Sequence, residues 1–281
     1  MRRPRSQQPI ALTIAGSDSG GGAGLQADLK TFTALGVHGT TVVTCVTAQT
    51  PSGVTAVHAI PPALVQAQLA ALAAELPARG AKTGMLLNAR IIQTVAAFWR
   101  SWSPPAPLRA RGRRRRIPLV VDPVMVATSG ARLLEPADID ALENQLIPQA
   151  ALITPNLDEL AALLRQPGSE IRTVSDLRCA ARELRSRFGV AVLAKGGHLA
   201  EGDDAVDIFW DGREELLLSA PRVRGVATHG TGCTYSAAIA GYLALGCSLT
   251  LAVQLAKEHI TQAIAQSVRL GRHTALNPLW R

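Results

Sequence analysis

The sequence of 281 residues has few aromatic side chains, 4% of the total, and no apolar run long enough to span a bilayer. A membrane-spanning helix needs about 20 predominantly apolar residues, so we expect no membrane segment. The basic N-terminus, Met1–Arg5, is not followed by the apolar stretch and small-residue cleavage site of a signal peptide, and we expect none. The shortage of aromatics, beside 47% hydrophobic residues, favours small-residue helices packed on a sheet over an aromatic-rich β-sandwich.

Cysteines are also few, and their spacing excludes the usual metal and disulfide patterns. The four cysteines form no CxxC pair and have no zinc-ligand spacing. In a chain of this length we interpret them as free thiols of a reducing compartment, which predicts a cytoplasmic protein. They are Cys45, Cys179, Cys233 and Cys247.

The net charge of +8 is concentrated in two places. Three arginines lie in a basic tail, residues 1–9, and six more lie in a proline-containing segment, about 103–116. These nine arginines account for more than the whole net charge, so the rest of the chain is close to neutral. A basic stripe with interleaved aromatics, typical of a nucleic-acid groove, is missing from the sequence. We interpret the segment as a solvated surface loop, expect no nucleic-acid partner, and keep a nucleic-acid-binding module as a remote alternative.

Strand-like apolar runs alternate with helical patterns from residue 10 onward. This alternation predicts an α/β fold with a mostly parallel sheet covered on both faces. No repeat or change of composition marks a boundary, so we predict one domain, residues 10–281. Polar or glycine-rich segments follow nearly every predicted strand, and the ligand crevice of an open α/β sheet lies at these strand ends. The segments are Gly16–Gly24, Gln49, Lys82–Met85, Asp122, Asn156, Lys195 and Gly230–Cys233.

The strongest local motif is the turn Gly230-Thr231-Gly232-Cys233 before a small-residue helix. Its glycines leave the backbone N–H groups of a helix start unobstructed, and with the helix dipole these groups form an anion site suited to phosphoryl transfer. A plain glycine turn that enters a helix is the alternative. At a helix start the pKa of Cys233, ordinarily about 8.5, is expected to fall, so that Cys233 acts as a general base. A small buried thiol is the alternative for this residue.

Other strand ends carry candidate groups for a metal or a ligand. Asn156 and Glu159 lie three residues apart at a predicted helix start and, with Asp122, are suited to hold water around Mg²⁺. A capping box between Asn156 and Glu159 is compatible with that role. Lys195 is placed for a triphosphate, although a structural lysine fits equally well. Asp28, one turn into the first helix, is either an acceptor for a ligand amine or an exposed acid that complements the helix dipole.

Taken in order, these motifs resemble the hydroxymethylpyrimidine/phosphomethylpyrimidine kinases of thiamine biosynthesis, in the ribokinase-like superfamily. The resemblance covers residues 10 to about 265. The matching segments are Ala11–Ser19, Gly21–Phe32, Val46–Thr50, Lys82–Leu86, Val121–Met125, Ile153–Asn156 with Glu159, Lys195–His198 and Thr228–Thr234. The resemblance implies a ribokinase-like three-layer α/β/α fold with ATP and Mg²⁺ as cofactors. It implies phosphorylation of 4-amino-5-hydroxymethyl-2-methylpyrimidine and then of its monophosphate.

The resemblance also implies a role for each matching residue. The substrate-binding residues are Gly16, Asp28, Gln49 and Met85. The catalytic residues are Gly230, Thr231, Gly232 and the base Cys233. The nucleotide-binding residues are Asn156, Lys195 and Thr228, while Asp122 and Glu159 hold Mg²⁺ through water. Related sugar kinases carry Asp where Cys233 stands, which favours a pyrimidine substrate; a pyridoxal kinase is the alternative within the superfamily, and we expect a homodimer.

Overall fold

The structure, a computed structural model, describes residues 7–102, 116–125, 133–166, 171–199, 201–226 and 229–280. Its centre is a nine-stranded sheet in the order β3-β2-β1-β4-β5-β6-β7-β8-β9. The strands are β1 (Ile10–Asp18), β2 (His38–Thr50), β3 (Gly53–Ala59), β4 (Gly80–Thr83), β5 (Leu119–Val121), β6 (Leu152–Ile153), β7 (Ala191–Gly196), β8 (Asp204–Trp210) and β9 (Glu215–Pro221). A separate ribbon pairs β10 (Val268–Leu270) with β11 (His273–Ala275). Most of the basic tail and of the arginine-rich segment, together with Thr228, lies outside the described residues.

The sheet is mostly parallel, as predicted. Strands β2, β1, β4, β5, β6 and β7 run parallel to their neighbours, and antiparallel strands close both edges. The strand order reverses at β1, because the chain passes from β1 to β2 on one side and later to β4 on the other. Ligands of open α/β sheets bind beside such a reversal, outside the carboxyl ends of the strands. The turn that follows β1 therefore lies where a ligand is expected.

Helices cover both faces of the sheet. They are α1 (Gly24–Ala34), α2 (Pro62–Glu75), α3 (Ala89–Ser101), α4 (Pro136–Ala141), α5 (Leu157–Leu163), α6 (Val174–Phe188), α7 (Thr231–Ala244) and α8 (Leu249–Ala265). Alternate residues of β1 enter different cores, since Leu12 and Ile14 pack in one apolar cluster and Ala11 packs in the other. Two cores on opposite faces of one sheet confirm the predicted three-layer α/β/α architecture. Among the described residues, none of the helices is long and apolar enough to cross a membrane.

Helix α7 lies unusually close to the sheet because both surfaces carry small residues. Every residue from Thr234 to Ala244 is buried. At Gly80 in β4 a Cβ atom would overlap the carbonyl oxygen of Ala240, so only glycine permits this approach. Packing of the helix body against β4 and β1 fixes the position of its N-terminus at the carboxyl ends of the strands.

Candidate active site

A cavity of about 140 Å³ lies at the carboxyl ends of the parallel strands. Its walls come from segments that are far apart in sequence, including the end of β2, the residue after β5, the start of α5 and the start of α7. Eight residues predicted from the sequence as site residues line it. They are Gln49, Asp122, Asn156, Glu159, Lys195, Gly230, Gly232 and Cys233.

A second cavity, of about 220 Å³, adjoins the first and shares Asn156, Lys195 and Gly232 with it. It extends along α7 and α8 towards apolar residues, among them Ile260 and Ile264. Away from the shared end, polar groups such as Asp207 and Lys257 also line it. Together the two cavities form a cleft with one small polar compartment and one longer compartment of mixed character.

The glycine turn before α7 is built by backbone packing against the turn after β1. Gly230 is the N-cap residue of α7 and has φ of +82°, in the left-handed region that favours glycine. A Cβ atom on Gly230 would overlap the carbonyl oxygen of Gly22. The turn therefore requires glycine on two grounds. It also leaves the first N–H groups of a 14-residue helix directed at the cavity end, where an anion is stabilised.

Cys233 lies in the first turn of α7, partly exposed to the cavity, and the backbone N–H of Gly24 donates to its thiol. Burial raises the pKa of Cys233 to about 11, although the positive charge of Lys82 opposes the rise and the charge of Asp28 adds to it. The expected fall in pKa at the helix start is therefore wrong for the ligand-free protein, because desolvation of the thiolate outweighs the nearby donors.

Asp122 and Lys195 form an ion pair at the floor of the cavity, with 3.1 Å between Lys195 Nζ and Asp122 Oδ1. The hydroxyl of Thr154 donates to the same oxygen at 2.9 Å, and Ser236 Oγ lies 3.2 Å from Oδ2. Burial favours a protonated carboxyl, but Lys195 and Lys82 reverse this and hold the pKa of Asp122 below its usual value. Asp122 is therefore an anion paired with the ammonium group of Lys195.

Glu159 completes the predicted capping box, since its carboxylate accepts from the backbone N–H of Asn156 at 2.9 Å and the Asn156 side chain accepts from the N–H of Glu159. Burial raises the pKa of Glu159 to about 7, and the charge of Asp122 adds to the rise. Among the described residues no group of three or more His, Cys, Asp or Glu side chains could hold a metal directly. Two carboxylates that share one cavity suit Mg²⁺ held through water, because this ion keeps much of its hydration shell.

Asp28 differs from its predicted position. Its carboxylate is fully buried and bonded to Thr13 Oγ1 at 2.6 Å and to Lys82 Nζ at 3.1 Å. Burial favours a neutral lysine, but the charges of Asp28, Cys233 and Asp122, together with the hydrogen bond to Asp28, outweigh this and raise the pKa of Lys82 to about 12. The pair is a buried ion pair beneath Cys233, because packing of α1 on the sheet turns Asp28 inward, and the interpretation as an exposed acid is wrong. The predicted contact of Asp28 with a substrate stays a prediction.

Gly16 and Met85, the other predicted substrate residues, lie together beside the strand β2. A Cβ atom on Gly16 would come within 2.7 Å of Cys45 Sγ and 3.5 Å of Met85 Sδ. The hydroxyl of Thr44 donates to the backbone oxygen of Met85 at 2.6 Å. These two residues form a wall of small and sulfur-containing groups next to the turn after β1, and their predicted contact with a substrate stays a prediction.

The sequence assigned no role in the site to His229 or Asp18, which the structure places together. His229 lines the smaller cavity, and its Nε2 lies 3.3 Å from Asp18 Oδ2. Tyr235 and Lys257, which line the longer cavity, were also missed; Lys257 Nζ lies 2.7 Å from Asp207 Oδ2. The position of His229 next to Gly230 was the only signal in the sequence. Tyr235 and Lys257 sit within apolar helical patterns that give no such signal.

Comparison with known proteins decides the family. A sequence model of the family described as phosphomethylpyrimidine kinase matches residues 18–278. The chain belongs to this family. The hydroxymethylpyrimidine/phosphomethylpyrimidine kinase of Synechococcus elongatus is 48% identical to the chain over 265 residues, 94% of each sequence.

Solved structures agree with this membership of the phosphomethylpyrimidine kinase family. The phosphomethylpyrimidine kinase of Clostridium difficile 630 is 38% identical, with a TM-score of 0.75 over 92% of this chain and 100% of the other. The ADP complex of Bacillus subtilis pyridoxal kinase is 37% identical, with a TM-score of 0.83 over 96% of this chain and 97% of the other. The predicted resemblance and the ribokinase-like fold are confirmed. The chain is a phosphotransferase of the kinase type.

Proposed function

We propose that the chain transfers a phosphoryl group from ATP to 4-amino-5-hydroxymethyl-2-methylpyrimidine and then phosphorylates the monophosphate to the diphosphate, as steps of thiamine biosynthesis. The observation that carries the proposal is the small polar cavity that contains both Gln49 and Cys233 and opens onto a longer cleft. A cavity of about 140 Å³ suits a single small ring. The named relatives of the family support the same substrate.

In the first reaction the substrate hydroxyl oxygen attacks the γ-phosphorus of ATP, the bond to the β-phosphate oxygen breaks, and ADP leaves. The hydroxyl proton passes to the thiolate of Cys233, which acts as general base. The N–H groups at the start of α7, from Thr231 onward, stabilise the charge that develops on the transferred group. In the second reaction the attacking atom is a phosphate oxygen that is already anionic, so no proton needs to be removed.

The longer cavity is the proposed nucleotide compartment. Its shared end, with Asn156 and Lys195, would bring an amide and a cation to the phosphates, and the remainder, which includes Ile260 and Ile264, would hold the base. The predicted role of Thr228 remains a proposal of the same kind. The bound ADP of the Bacillus subtilis pyridoxal kinase structure supports use of an adenine nucleotide.

Asp122 and Glu159 would hold Mg²⁺ through water in the smaller cavity. When bound, the ion would neutralise part of the phosphate charge in the transition state. The residues of the chain contribute an ionised carboxylate at Asp122 and a second carboxyl at Glu159, both facing the smaller cavity. Lys195 pairs with Asp122 in the protein alone and is positioned to approach the phosphates.

The decisive experiment measures ADP formation with four acceptors: the hydroxymethylpyrimidine, its monophosphate, pyridoxal and hydroxyethylthiazole. We expect turnover with the first two and weak turnover with the others. A dominant rate with pyridoxal would reject the proposed substrate and favour the alternative, a pyridoxal kinase like the similar enzyme of Bacillus subtilis. Turnover with none of the four would reject the proposal as a whole.

We also propose a homodimer that works in the cytoplasm, where its four unpaired cysteines would remain thiols. The antiparallel strand β3 forms one edge of the sheet, and apolar Val46 and Val57 on β2 and β3 are 43% and 42% exposed. Pairing of two such surfaces would cover this edge. Light scattering after size-exclusion chromatography should give twice the chain mass for the natural protein. Val57→Glu should give the monomer mass, and a natural protein of monomer mass would reject the dimer.

A further inference from the structure

His229 has no role in the reaction described above, yet it lines the same small cavity as Gln49 and Cys233. Its Nε2 atom lies 3.3 Å from Asp18 Oδ2 and 3.4 Å from Gln49 Nε2. One ring nitrogen therefore faces a carboxylate oxygen and an amide nitrogen at the same time. These two neighbours require opposite roles of Nε2, because a carboxylate oxygen needs a hydrogen-bond donor and an amide N–H needs an acceptor.

The surroundings of Asp18 show which of these two neighbours determines the role of His229 Nε2. Its carboxylate accepts from the backbone N–H of Gly20 at 2.8 Å on Oδ1, and from those of Gly22 at 3.0 Å and Ala23 at 2.8 Å on Oδ2. Burial opposes ionisation, but the bonds from His229 and from these N–H groups outweigh it and lower the pKa of Asp18. An ionised carboxylate offers only acceptors. Because three backbone N–H groups already fix this carboxylate as an acceptor, the His229 tautomer that suits it carries its proton on Nε2.

The other side of the Gln49 amide shows the same conflict. Gln49 Oε1 lies 3.1 Å from Thr47 Oγ1, and that hydroxyl also lies 2.9 Å from the backbone oxygen of Ser17. A hydroxyl has one proton, and the shorter distance favours its donation to Ser17, which leaves Gln49 Oε1 facing an oxygen without a donor of its own. Turning the amide by a half-rotation resolves both conflicts at once. Gln49 Oε1 then faces the single N–H of His229 Nε2 and shares it with Asp18 Oδ2 in a three-centre hydrogen bond. Gln49 Nε2 donates to Thr47, whose proton remains with Ser17.

We propose that His229, held as a donor by Asp18, is a positioning residue that fixes the polarity of the Gln49 amide and thereby selects the edge of the substrate. The inference rests on the proposed function for the identity of that substrate. With the amide fixed, one lone pair of Oε1 and one N–H of Nε2 remain for a ligand.

An aminopyrimidine presents an exocyclic N–H donor next to a ring-nitrogen acceptor, which pairs with an amide at two points. The hydroxymethyl group must point towards Cys233, so the ring cannot turn over to suit a reversed amide. A reversed amide would set N–H against N–H and oxygen against the ring nitrogen. Pyridoxal instead carries aldehyde and phenol oxygens beside its hydroxymethyl arm and does not offer this donor–acceptor pair. The orientation of Gln49 thus separates two substrates that otherwise have similar rings.

The kinetic test compares His229→Leu, which removes the donor, with His229→Gln, which keeps an N–H donor on a side chain of similar reach. For His229→Leu we expect the KM for the pyrimidine to rise about 5- to 100-fold, the loss typical of an unpaired buried polar group. The kcat should change much less, and the preference over pyridoxal in kcat/KM should fall by a similar factor. His229→Gln should recover part of both. His38→Leu, at an exposed position at the start of β2, is the matched control. An unchanged KM and preference in His229→Leu, or a loss confined to kcat, would overturn the inference.

A second test does not depend on catalysis. The full chain labelled with ¹⁵N-histidine reports the protonation of each ring nitrogen by NMR, and the His229 signal is assigned by its loss in His229→Gln. We expect a proton on Nε2 of His229. A ring protonated only on Nδ1 would overturn the inference even if the enzyme prefers the pyrimidine. Absence of turnover with every acceptor would instead reject the proposed function and leave the NMR result to decide the orientation.

Discussion

Replacement of Cys233 by alanine should separate the two phosphorylations. The first reaction needs a hydroxyl proton removed, whereas the second uses a phosphate oxygen that is already anionic. Cys233 lies in the first turn of α7, in the cavity that also contains Gln49 and Asp122. If its thiolate takes the proton, the variant should lose the first reaction and largely keep the second.

The raised pKa of Cys233 determines how much of the first reaction the Cys233→Ala variant should lose. With a pKa of about 11, about one molecule in a thousand carries the thiolate near pH 8. A positioned general base contributes about 10²- to 10⁴-fold. Because the thiolate is scarce, we expect the loss in kcat for the first reaction to be near the lower end of that range, about 10²-fold. The second reaction should fall by less than about tenfold, since only the geometry of the turn is affected.

The assay couples ADP formation to NADH oxidation, with the hydroxymethylpyrimidine and its monophosphate supplied separately. Below its pKa the thiolate fraction grows tenfold for each pH unit, so the kcat/KM of the first reaction should still be rising at pH 9. The second should show no such slope. Cys179→Ala, an exposed cysteine on α6, is the control. Equal losses in both reactions of Cys233→Ala would refute the base role, and a first-step plateau below about pH 8.5 would refute the raised pKa.

Two further perturbations test the architecture beneath the site. Gly230→Ala would force a Cβ atom into a backbone carbonyl, so we expect loss of both reactions and a large fall in the free energy of unfolding; Gly246→Ala has a similar φ, +94°, but no atom within 4 Å, and should cost only about 1 kcal/mol in urea unfolding. Equal destabilisation would contradict the overlap. Lys82→Met leaves Asp28 buried without its cation and should cost about 3–5 kcal/mol. Adding Asp28→Asn should recover part of that loss, and additive losses in the double-mutant cycle would show that the pair does not interact.

The position of the site was predictable because it follows from strand ends. Gln49, Asp122 and Lys195 each stand at or just beyond the end of an apolar run, and in a parallel sheet these ends meet at one edge. Periodicity was therefore enough to bring together residues more than 70 positions apart, such as Asp122 and Lys195. It gave no information on which of them form ion pairs.

The interpretation of Asp28 as an exposed acid was wrong, and the sequence carried a signal for its burial. It stands three residues after Leu25 and four before Phe32, which places it on the same face of α1 as two apolar residues. The spacing that predicted the helix therefore also indicated a buried acid. Its partner Lys82 is 54 positions away, and a single sequence does not show that pairing. The prediction of a lowered pKa for Cys233 was wrong for a related reason. A helix start in the sequence indicates the direction of the helix dipole but not how deeply the thiol is buried.

The glycines of the two turns allow close backbone packing, a role that the sequence pattern did not reveal. They were interpreted as leaving helix N–H groups accessible, yet Gly230 packs its backbone on Gly22, and a Cβ atom on Gly24 would overlap the carbonyl oxygen of Gly16. The turn after β1 and the turn before α7 are thus in direct backbone contact. Because Gln49 and His229 meet across this contact and Cys233 follows it, recognition of the ring and transfer of the phosphoryl group depend on one packed unit. A glycine replacement in either turn should therefore impair substrate affinity and phosphoryl transfer together, whereas a side-chain replacement at His229 should impair affinity alone.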